Sequence, residues 1–142
     1  MYQILLTPLI ASLIAQISKF FIRSNHLKMH ASNLVAYSGM PSGHSALMVS
    51  LVTIVGLKLG IQDPLFAVTL VLAILVIRDA VGIRRYLGQH GHILNILVKD
   101  LKDELDFDYP RLLEKIGHTP AQVAVGSLIG FIVSIASFFL FR

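Results

Sequence analysis

The chain of 142 residues contains no cysteine and has few charged residues. The lack of cysteine excludes disulfide bonds and thiolate chemistry, and it leaves the redox compartment undetermined. Only 14% of the residues are charged whereas 55% are hydrophobic, which is more apolar than soluble domains are. No run of basic residues alternates with aromatic residues, so nucleic acid is not an expected partner. The composition predicts an integral protein of the plasma or inner membrane, with a single domain over residues 1–142.

Four apolar stretches predict helices that cross a bilayer. They cover residues 1–22, 42–60, 64–77 and 119–141, and polar or charged connectors separate them. The third stretch is short for a span, so we expect its helix to continue to about Lys99, with a polar half that leaves the membrane or lines a site. The pattern predicts an all-α bundle of about four transmembrane helices, with interfacial or extended helical segments.

Pairs of small residues four positions apart recur in these stretches, and such pairs let helices pack closely. The pairs are Gly56 with Gly60, Ala46 with Ser50, and Gly126 with Gly130. They predict close packing inside the bundle or, alternatively, a homodimer through the Gly-x-x-x-Gly faces.

Residues 37–44 precede the second apolar stretch and end in Pro-Ser-Gly-His. Pro41 cannot extend a helix upstream, and Ser42 is a favoured N-cap residue. Gly43 lets a ligand approach the backbone, and His44 then lies on the first helical turn. Unpaired N–H groups and the helix dipole make such a start an anion site, where a histidine can exchange a proton with the anion. The alternative is a loop and an N-cap that contain a histidine without a function.

A second histidine, His118, also precedes an apolar stretch. We expect Thr119 to cap that helix, Pro120 to be its first residue and Gln122 to complete a capping box. Basic residues lie near both histidines in the sequence. Two histidine-led helix starts in one small chain favour a shared anion site over chance.

These segments resemble signature motifs of the type 2 phosphatidic acid phosphatase superfamily, which also contains the vanadium haloperoxidases. Residues 40–46, Met-Pro-Ser-Gly-His-Ser-Ala, resemble the second motif, and residues 117–126, Gly-His-Thr-Pro-Ala-Gln-Val-Ala-Val-Gly, resemble the third. Residues 77–95, with Arg-Asp-Ala-Val-Gly-Ile-Arg-Arg, are similar to the signature of a short, divergent membrane branch. The whole chain resembles that branch.

The resemblance implies hydrolysis of a phosphate monoester through a phosphohistidine, with no metal ion or other cofactor. His118 matches the nucleophile of the superfamily, and His44 matches the acid that protonates the leaving oxygen. Lys19, with Ser42 and the N–H of Gly43, matches the phosphate cradle. Fixed cations and N–H donors supply most of the catalysis in phosphoryl transfer, which agrees with these roles.

The cation set of the superfamily is only partly present. Where the first motif has Arg-Pro seven residues after its lysine, this chain has His26, and Arg23 is the nearest substitute. Where the third motif has an arginine, this chain has Leu112. The candidates to replace that arginine are Arg78, Arg85, Arg111 and Lys115. On helical spacing, Arg78 and Arg85 share a face with Gln89 and His92.

The group that orients the nucleophile also differs. The superfamily places an aspartate four residues after the nucleophile, and this chain has Gln122 there. Gln122 can accept a hydrogen bond from the imidazole but brings no charge, and the capping box with Thr119 explains it structurally. Asp79 could supply the missing carboxylate, or it could pair with Arg84 or with a residue of another helix.

The sequence therefore predicts a membrane phosphatase acting on a phosphate monoester of a lipid, such as phosphatidylglycerol phosphate or phosphatidate. The tails would stay in the bilayer while the phosphate is reached at the interface. The alternative is a catalytically weak or inactive protein that binds phosphate or a lipid headgroup. A small transporter would show paired inverted segments with broken helices, which we do not find. A haloperoxidase is least favoured, because vanadate in that class lies in larger soluble scaffolds.

The distribution of positive charge predicts that the site faces the cytoplasm. With four spans, ten lysine and arginine residues fall on the side of the two histidines, against two on the side of the termini. Without Lys19, Arg23, Arg78, Arg84 and Arg85, which are candidates for the site, the count is five against two.

Several other polar residues are expected to lie in solvent. His26 and His30 could bind a metal ion if helical, but a solvated loop is the favoured interpretation, because no carboxylate is close in sequence. His90 and His92 are expected to face solvent. The charged residues 100–115 are expected to form a solvated face.

Overall fold

A computed structural model describes residues 2–22, 39–101, 109–114 and 116–141. These residues form five α-helices, which are α1 (Tyr2–Ser18), α2 (Gly43–Leu59), α3 (Pro64–Val81), α4 (Ile83–Asp100) and α5 (Pro120–Leu140). A 3-10 turn, Lys19–Phe21, extends α1. No strand occurs in the described parts of the chain, so the all-helical prediction is confirmed.

Three segments are long and apolar enough to cross a membrane, namely Tyr2–Phe21, Pro64–Asp100 and Pro120–Leu140. The shorter apolar helix α2 has 17 residues; at about 1.5 Å per residue it spans about 26 Å, close to the hydrocarbon thickness of a bilayer. Outward residues on the other spans, such as Leu13, Leu75 and Ile132, are more than half exposed. The protein is therefore an integral membrane protein with a helical bundle.

The helix α2 lies at the centre of the bundle and packs against α1, α3 and α5. It runs beside α5 in the same direction, and each helix presents a stripe of small buried residues to the other. The facing pairs are Ser42 with Gly126, Ala46 with Gly130, and Ser50 with Ser134. A Cβ atom at either glycine would collide with the facing carbonyl group of α2. The two helix starts are therefore held side by side.

The predicted small-residue pairs serve packing within the chain. Gly126 and Gly130 face α2, and Gly56 lies against the ring of Phe66 in α3. Gly60 ends α2 with a φ of 92°, a left-handed conformation that favours glycine. The homodimer through these faces remains a prediction.

The predicted continuation of the third helix to about Lys99 is confirmed, with a break at Gly82. The backbone at Gly82 leaves the helical conformation (φ −97°, ψ −92°), and α4 then continues to Asp100. A Cβ at this position would lie 2.9 Å from the carbonyl oxygen of Arg78, so glycine suits the break. Among the described helices, α4 packs only against α3.

The expected solvated face over residues 100–115 is wrong for two of the residues that the structure describes. The side chain of Asn95 donates to the carbonyl of Leu112 and accepts from its N–H, both at 2.9 Å. The carboxylate of Glu114 accepts from Asn95 at 2.8 Å. Gly88 and Gly91 let this connection lie directly on α4, because side chains there would collide with its carbonyl groups.

Candidate active site

The C-terminal ends of α1 and α3 and the N-terminal ends of α2 and α5 lie together at one end of the bundle. The N–H of Ser42, before α2, donates to the carbonyl of Gln122 in α5 at 3.0 Å. The N–H of His118 donates to the carbonyl of Ala80 in α3 at 3.0 Å. Because α1, α2, α3 and α5 alternate in direction along the chain, residues that are distant in sequence lie close together at this end.

His118 is held firmly just outside the N-terminus of α5. It is only 3% exposed, and its Nδ1 lies 3.3 Å from Oε1 of Gln122. The same Oε1 accepts the N–H of Thr119 at 3.0 Å, while Oγ1 of Thr119 accepts the N–H of Gln122 at 3.3 Å. The predicted capping box is confirmed, and its glutamine oxygen also contacts the imidazole. With Nδ1 donating to Gln122, Nε2 is the nitrogen that can attack.

Burial lowers the pKa of His118 below its ordinary value, and the positive charge of Lys19 lowers it further. Hydrogen bonds to Gln122 and to the carbonyl of Gly39 act in the opposite direction but do not reverse the shift. His118 therefore stays neutral at neutral pH and keeps the lone pair that a nucleophile needs.

His44 lies opposite, on the first turn of α2. The predicted N-cap is confirmed, because the Ser42 hydroxyl accepts the N–H of Ser45 at 3.4 Å. His44 is exposed, and its ring centroid is 6.4 Å from that of His118. A phosphoryl group fits between the rings, since an attacking atom approaches to about 3–3.5 Å and a proton donor to about 2.6–3.2 Å.

The end of α1 supplies a buried cation and a buried amide. Lys19 is 2% exposed, and its charge acts on the imidazoles of both His44 and His118. The side chain of Gln16 lies over Gly43, within 3.3 Å of the position that a Cβ atom would take. We expected a ligand to approach the backbone at Gly43. In this structure the side chain of Gln16 lies at that position.

The Oε1 atom of Gln16 is buried and has no hydrogen-bond partner among the residues that the structure describes. Buried polar atoms are normally paired, so this oxygen indicates a place where a ligand donor or a water molecule binds. Gln16 was not among the residues predicted for the site. Its position three residues before Lys19, on the same helix face, is the signal that could have found it.

Arg84 was counted among the candidate cations of the site, although no role was assigned to it. Its Nε donates to Oδ2 of Asp79 at 2.6 Å, which is one of the alternatives considered for Asp79. Both charges act on the imidazole of His44. Asp79 is therefore engaged by Arg84, and the group on Nδ1 of His118 is the uncharged Gln122.

The structure places Arg78 in the last turn of α3 and Arg85 in the first turn of α4. Arg78 and Arg85 are both exposed. An open groove of about 550 Å³ is lined by Arg85, Gly88, Gln89, His92, Ile93, Glu114 and Ile116. The predicted common face of Arg85, Gln89 and His92 is thus confirmed, whereas Arg78 is not among the groove residues.

Four of the residues considered above lie outside the described residues, namely Arg23, His26, His30 and Lys115. His90 and His92 are exposed, as expected, and Nδ1 of His92 lies 2.9 Å from the carboxylate of Glu114. Within the described ranges, no group of three or more His, Cys, Asp and Glu side chains could hold a metal ion.

The fold and these contacts define a helical membrane protein with two histidines at adjacent helix starts. The chain belongs to the Divergent PAP2 family, whose pattern matches residues 1–133. It is 34% identical to the uncharacterized membrane protein YuiD of Bacillus subtilis (strain 168), over 96% of this chain and 94% of that protein. No solved structure matches the chain. The family resemblance inferred from the motifs is confirmed.

Proposed function

We propose that the protein is a membrane phosphatase that hydrolyses a phosphate monoester of a lipid through a phosphohistidine at His118. The observation that carries the proposal is the pairing of His118 and His44, whose ring centroids are 6.4 Å apart at two helix starts. Membership of the Divergent PAP2 family supports a phosphatase-like relation.

The first step is the transfer of the phosphoryl group to the protein. Nε2 of His118 attacks the phosphorus atom, and the bond between phosphorus and the lipid oxygen breaks. His44, in its protonated form, gives its proton to that oxygen, so the lipid leaves as an alcohol. The exposure of His44 leaves its ring accessible to the leaving oxygen and, once it is neutral, to the water of the next step.

The second step returns the protein to its starting state. Water attacks the phosphorus atom, neutral His44 accepts a proton from that water, and the phosphorus–nitrogen bond breaks. Phosphate leaves, and His118 is neutral again. Of the two steps, the attack in the first requires an unprotonated Nε2 of His118, which the burial of this side chain favours.

The cradle for the phosphoryl oxygens comes from the ends of α1 and α2. Lys19 supplies a fixed charge, and the first N–H groups of α2 have no acceptor within their own helix. The unpaired oxygen of Gln16 suits the P–O–H group of a singly charged phosphate. Arg84, beside His44, adds positive charge where the leaving oxygen departs.

The position of the site at one end of the bundle favours a lipid substrate, with phosphatidylglycerol phosphate and phosphatidate as candidates. The test measures phosphate released from a panel of lipid phosphates by the purified protein in detergent. We expect His118→Ala to reduce release to background, and His90→Ala, which changes an exposed histidine outside the site, to leave it unchanged. Full activity of His118→Ala would refute the mechanism.

The proposed mechanism uses no metal ion. We expect exhaustive chelation to leave the rate of phosphate release unchanged and vanadate to inhibit it by occupying the cradle. Loss of activity on chelation, with recovery on addition of Mg²⁺, would reject this part of the proposal.

A catalytically weak or inactive protein that binds phosphate or headgroups is the second candidate. The observation that favours it is the pairing of His118 with the neutral Gln122, which cannot stabilise an imidazolium as a carboxylate does. Saturable binding of lipid phosphates without release of phosphate across the panel would support this candidate.

The site is proposed to face the cytoplasm, on the charge count of five against two given above. The cysteine-free chain allows single cysteines at Asn33 and Gln62, on opposite sides of the proposed topology. An impermeant thiol reagent added outside intact cells should label position 62 and spare position 33. The reverse pattern would show that the site faces outward.

A further inference from the structure

The helix α4 carries an exposed apolar stripe that no described helix covers. Its members share one face on helical spacing and are between 42% and 64% exposed; this α4 stripe consists of Ile83, Tyr86, Leu87, Leu94, Leu97 and Leu101. The exposed His90 is the polar residue within the stripe. An exposed apolar surface of this length is typical of a site that contacts another protein or a membrane.

Another side of α4 is already occupied by the connection that leads into α5. Gly91 lies against the backbone of Leu113, and the side chain of Asn95 holds Leu112 through two hydrogen bonds. Because these residues are on a different face from the α4 stripe, the connection leaves the stripe uncovered.

The α4 stripe follows, along the chain, a membrane-spanning helix with an exposed apolar surface. The membrane-spanning helix α3 exposes apolar residues such as Ile74 (57%) and Leu75 (60%). Gly82 alone separates α3 from α4. The 18 residues of α3 span about 27 Å at about 1.5 Å per residue, close to the hydrocarbon thickness, so we expect α4 to begin near the edge of the hydrocarbon. The bilayer is thus the apolar phase next to the stripe.

The charge of α4 suits the surface of an anionic leaflet. Three cations, Arg84, Arg85 and Lys99, against one acid, Asp100, give the helix a net charge of +2 with histidine neutral. An apolar face combined with cationic residues is typical of helices that lie in the interface and attract anionic headgroups.

We propose that α4 lies in the membrane interface, with the α4 stripe among the acyl chains and its cations at the level of anionic headgroups. Arg84, and through it the proton donor His44, then lies at the depth of lipid phosphates. The proposal concerns contact with lipid and stands whether or not the protein is a phosphatase.

The depth of labelled positions in a bilayer tests this inference. Single cysteines at Leu94 and Leu97 report on the α4 stripe, and matched cysteines at Gln89 and Lys99 report on exposed positions of the same helix outside it. Each full-length variant is spin-labelled and reconstituted into vesicles with equal parts of phosphatidylcholine and phosphatidylglycerol. Collision of the label with oxygen, which concentrates in hydrocarbon, is compared with collision with a polar nickel chelate.

We expect the two stripe labels to collide several-fold more with oxygen than with nickel, and the two control labels to show the reverse. Stripe labels as accessible to nickel as the controls would place the stripe in water and overturn the proposal. Labels shielded from both reagents would overturn it in favour of a protein partner. Spin–spin broadening that disappears on dilution with unlabelled protein would identify that partner as a second copy. Circular dichroism checks each fold, and Leu87 replaces a stripe position that does not tolerate cysteine.

Discussion

The two histidines occupy similar places in the sequence but very different places in the structure. His44 belongs to α2 itself, is exposed, and is positioned by the N-cap of its own helix. His118 stands before its helix, is 3% exposed, and is held through Ala80 of α3 and Gln122 of α5. One histidine is positioned locally, and the other is held by contacts with two other helices, α3 and α5.

This difference indicates which chemistry each histidine can perform. A buried imidazole with one nitrogen engaged offers a single direction of attack and remains unprotonated. An exposed imidazole near a charged pair can exchange protons with water between turnovers. The geometry therefore supports the roles that the resemblance implied, with His118 as nucleophile and His44 as acid.

The largest difference between the two residues is expected in how their variants respond to the leaving group. We expect His44→Ala to slow hydrolysis of a lipid phosphate by about 10²–10⁴-fold, the usual effect of losing an acid–base group. With a nitrophenyl phosphate, whose leaving group needs no proton, the loss in the phosphorylation step, measured as the burst of nitrophenol, should shrink to a small factor, although His44 still serves as base in the later hydrolysis. His118→Ala should remain inactive with both substrates. An equal loss for His44→Ala on both substrates would argue against its role as the acid.

A second test moves the two helix starts apart without touching either histidine. A methyl group at Gly126 would collide with the carbonyl of Ser42, two residues before His44. We expect Gly126→Ala to destabilise the protein by about 1–3 kcal/mol and to reduce turnover by up to about 10²-fold, because small misplacements of reacting groups are costly.

The matched control for this test is Gly56→Ala, where a Cβ atom would lie 3.1 Å from the ring of Phe66. It perturbs the packing of α2 on α3 but leaves the contact between α2 and α5 intact. Thermal unfolding and phosphate release are measured for both variants. Equal losses of turnover in the two would show that the spacing of the helix starts is not what matters.

The smallest expected effect is a shift in pH dependence from Gln122→Glu. A glutamate can keep the capping box with Thr119, but its charge near Nδ1 raises the pKa of His118. His118 must be neutral to attack, so the wild-type rate falls on the acid side, below the ordinary histidine pKa of about 6.5. The acid limb of kcat/KM should move to higher pH in the variant, with little change in thermal stability. An unmoved limb would show that His118 does not control it.

The helix starts could be predicted from the sequence because their signals are local. Ser42 as N-cap and the capping box of Thr119 with Gln122 depend on residues within four positions of one another. The extent of the third helix to about Lys99 follows from its periodicity. The break at Gly82 was not foreseen, because an isolated glycine in a helical pattern is often tolerated.

The packing partners and the positions of the site residues could not be predicted, because they depend on contacts between residues that are distant in sequence. Gly126 was identified as a packing residue, but its partner Ser42, 84 positions earlier, could not be inferred from spacing. The same is true of Asn95, whose amide fixes Leu112 and makes a charged stretch pack on α4. Gln16 and Arg84 enter the site only because the helix directions alternate.

The central claim is that His118 carries the phosphoryl group, and trapping of the intermediate tests it most directly. The protein is mixed with a labelled lipid phosphate, quenched in alkali, where phosphohistidine survives, and analysed by mass spectrometry of its peptides. The account predicts phosphate on the peptide containing His118 in the wild type and none in His118→Ala. In His44→Ala, the nitrophenyl substrate should still label His118. Phosphate on another residue, or turnover in His118→Ala at the wild-type rate, would contradict the account.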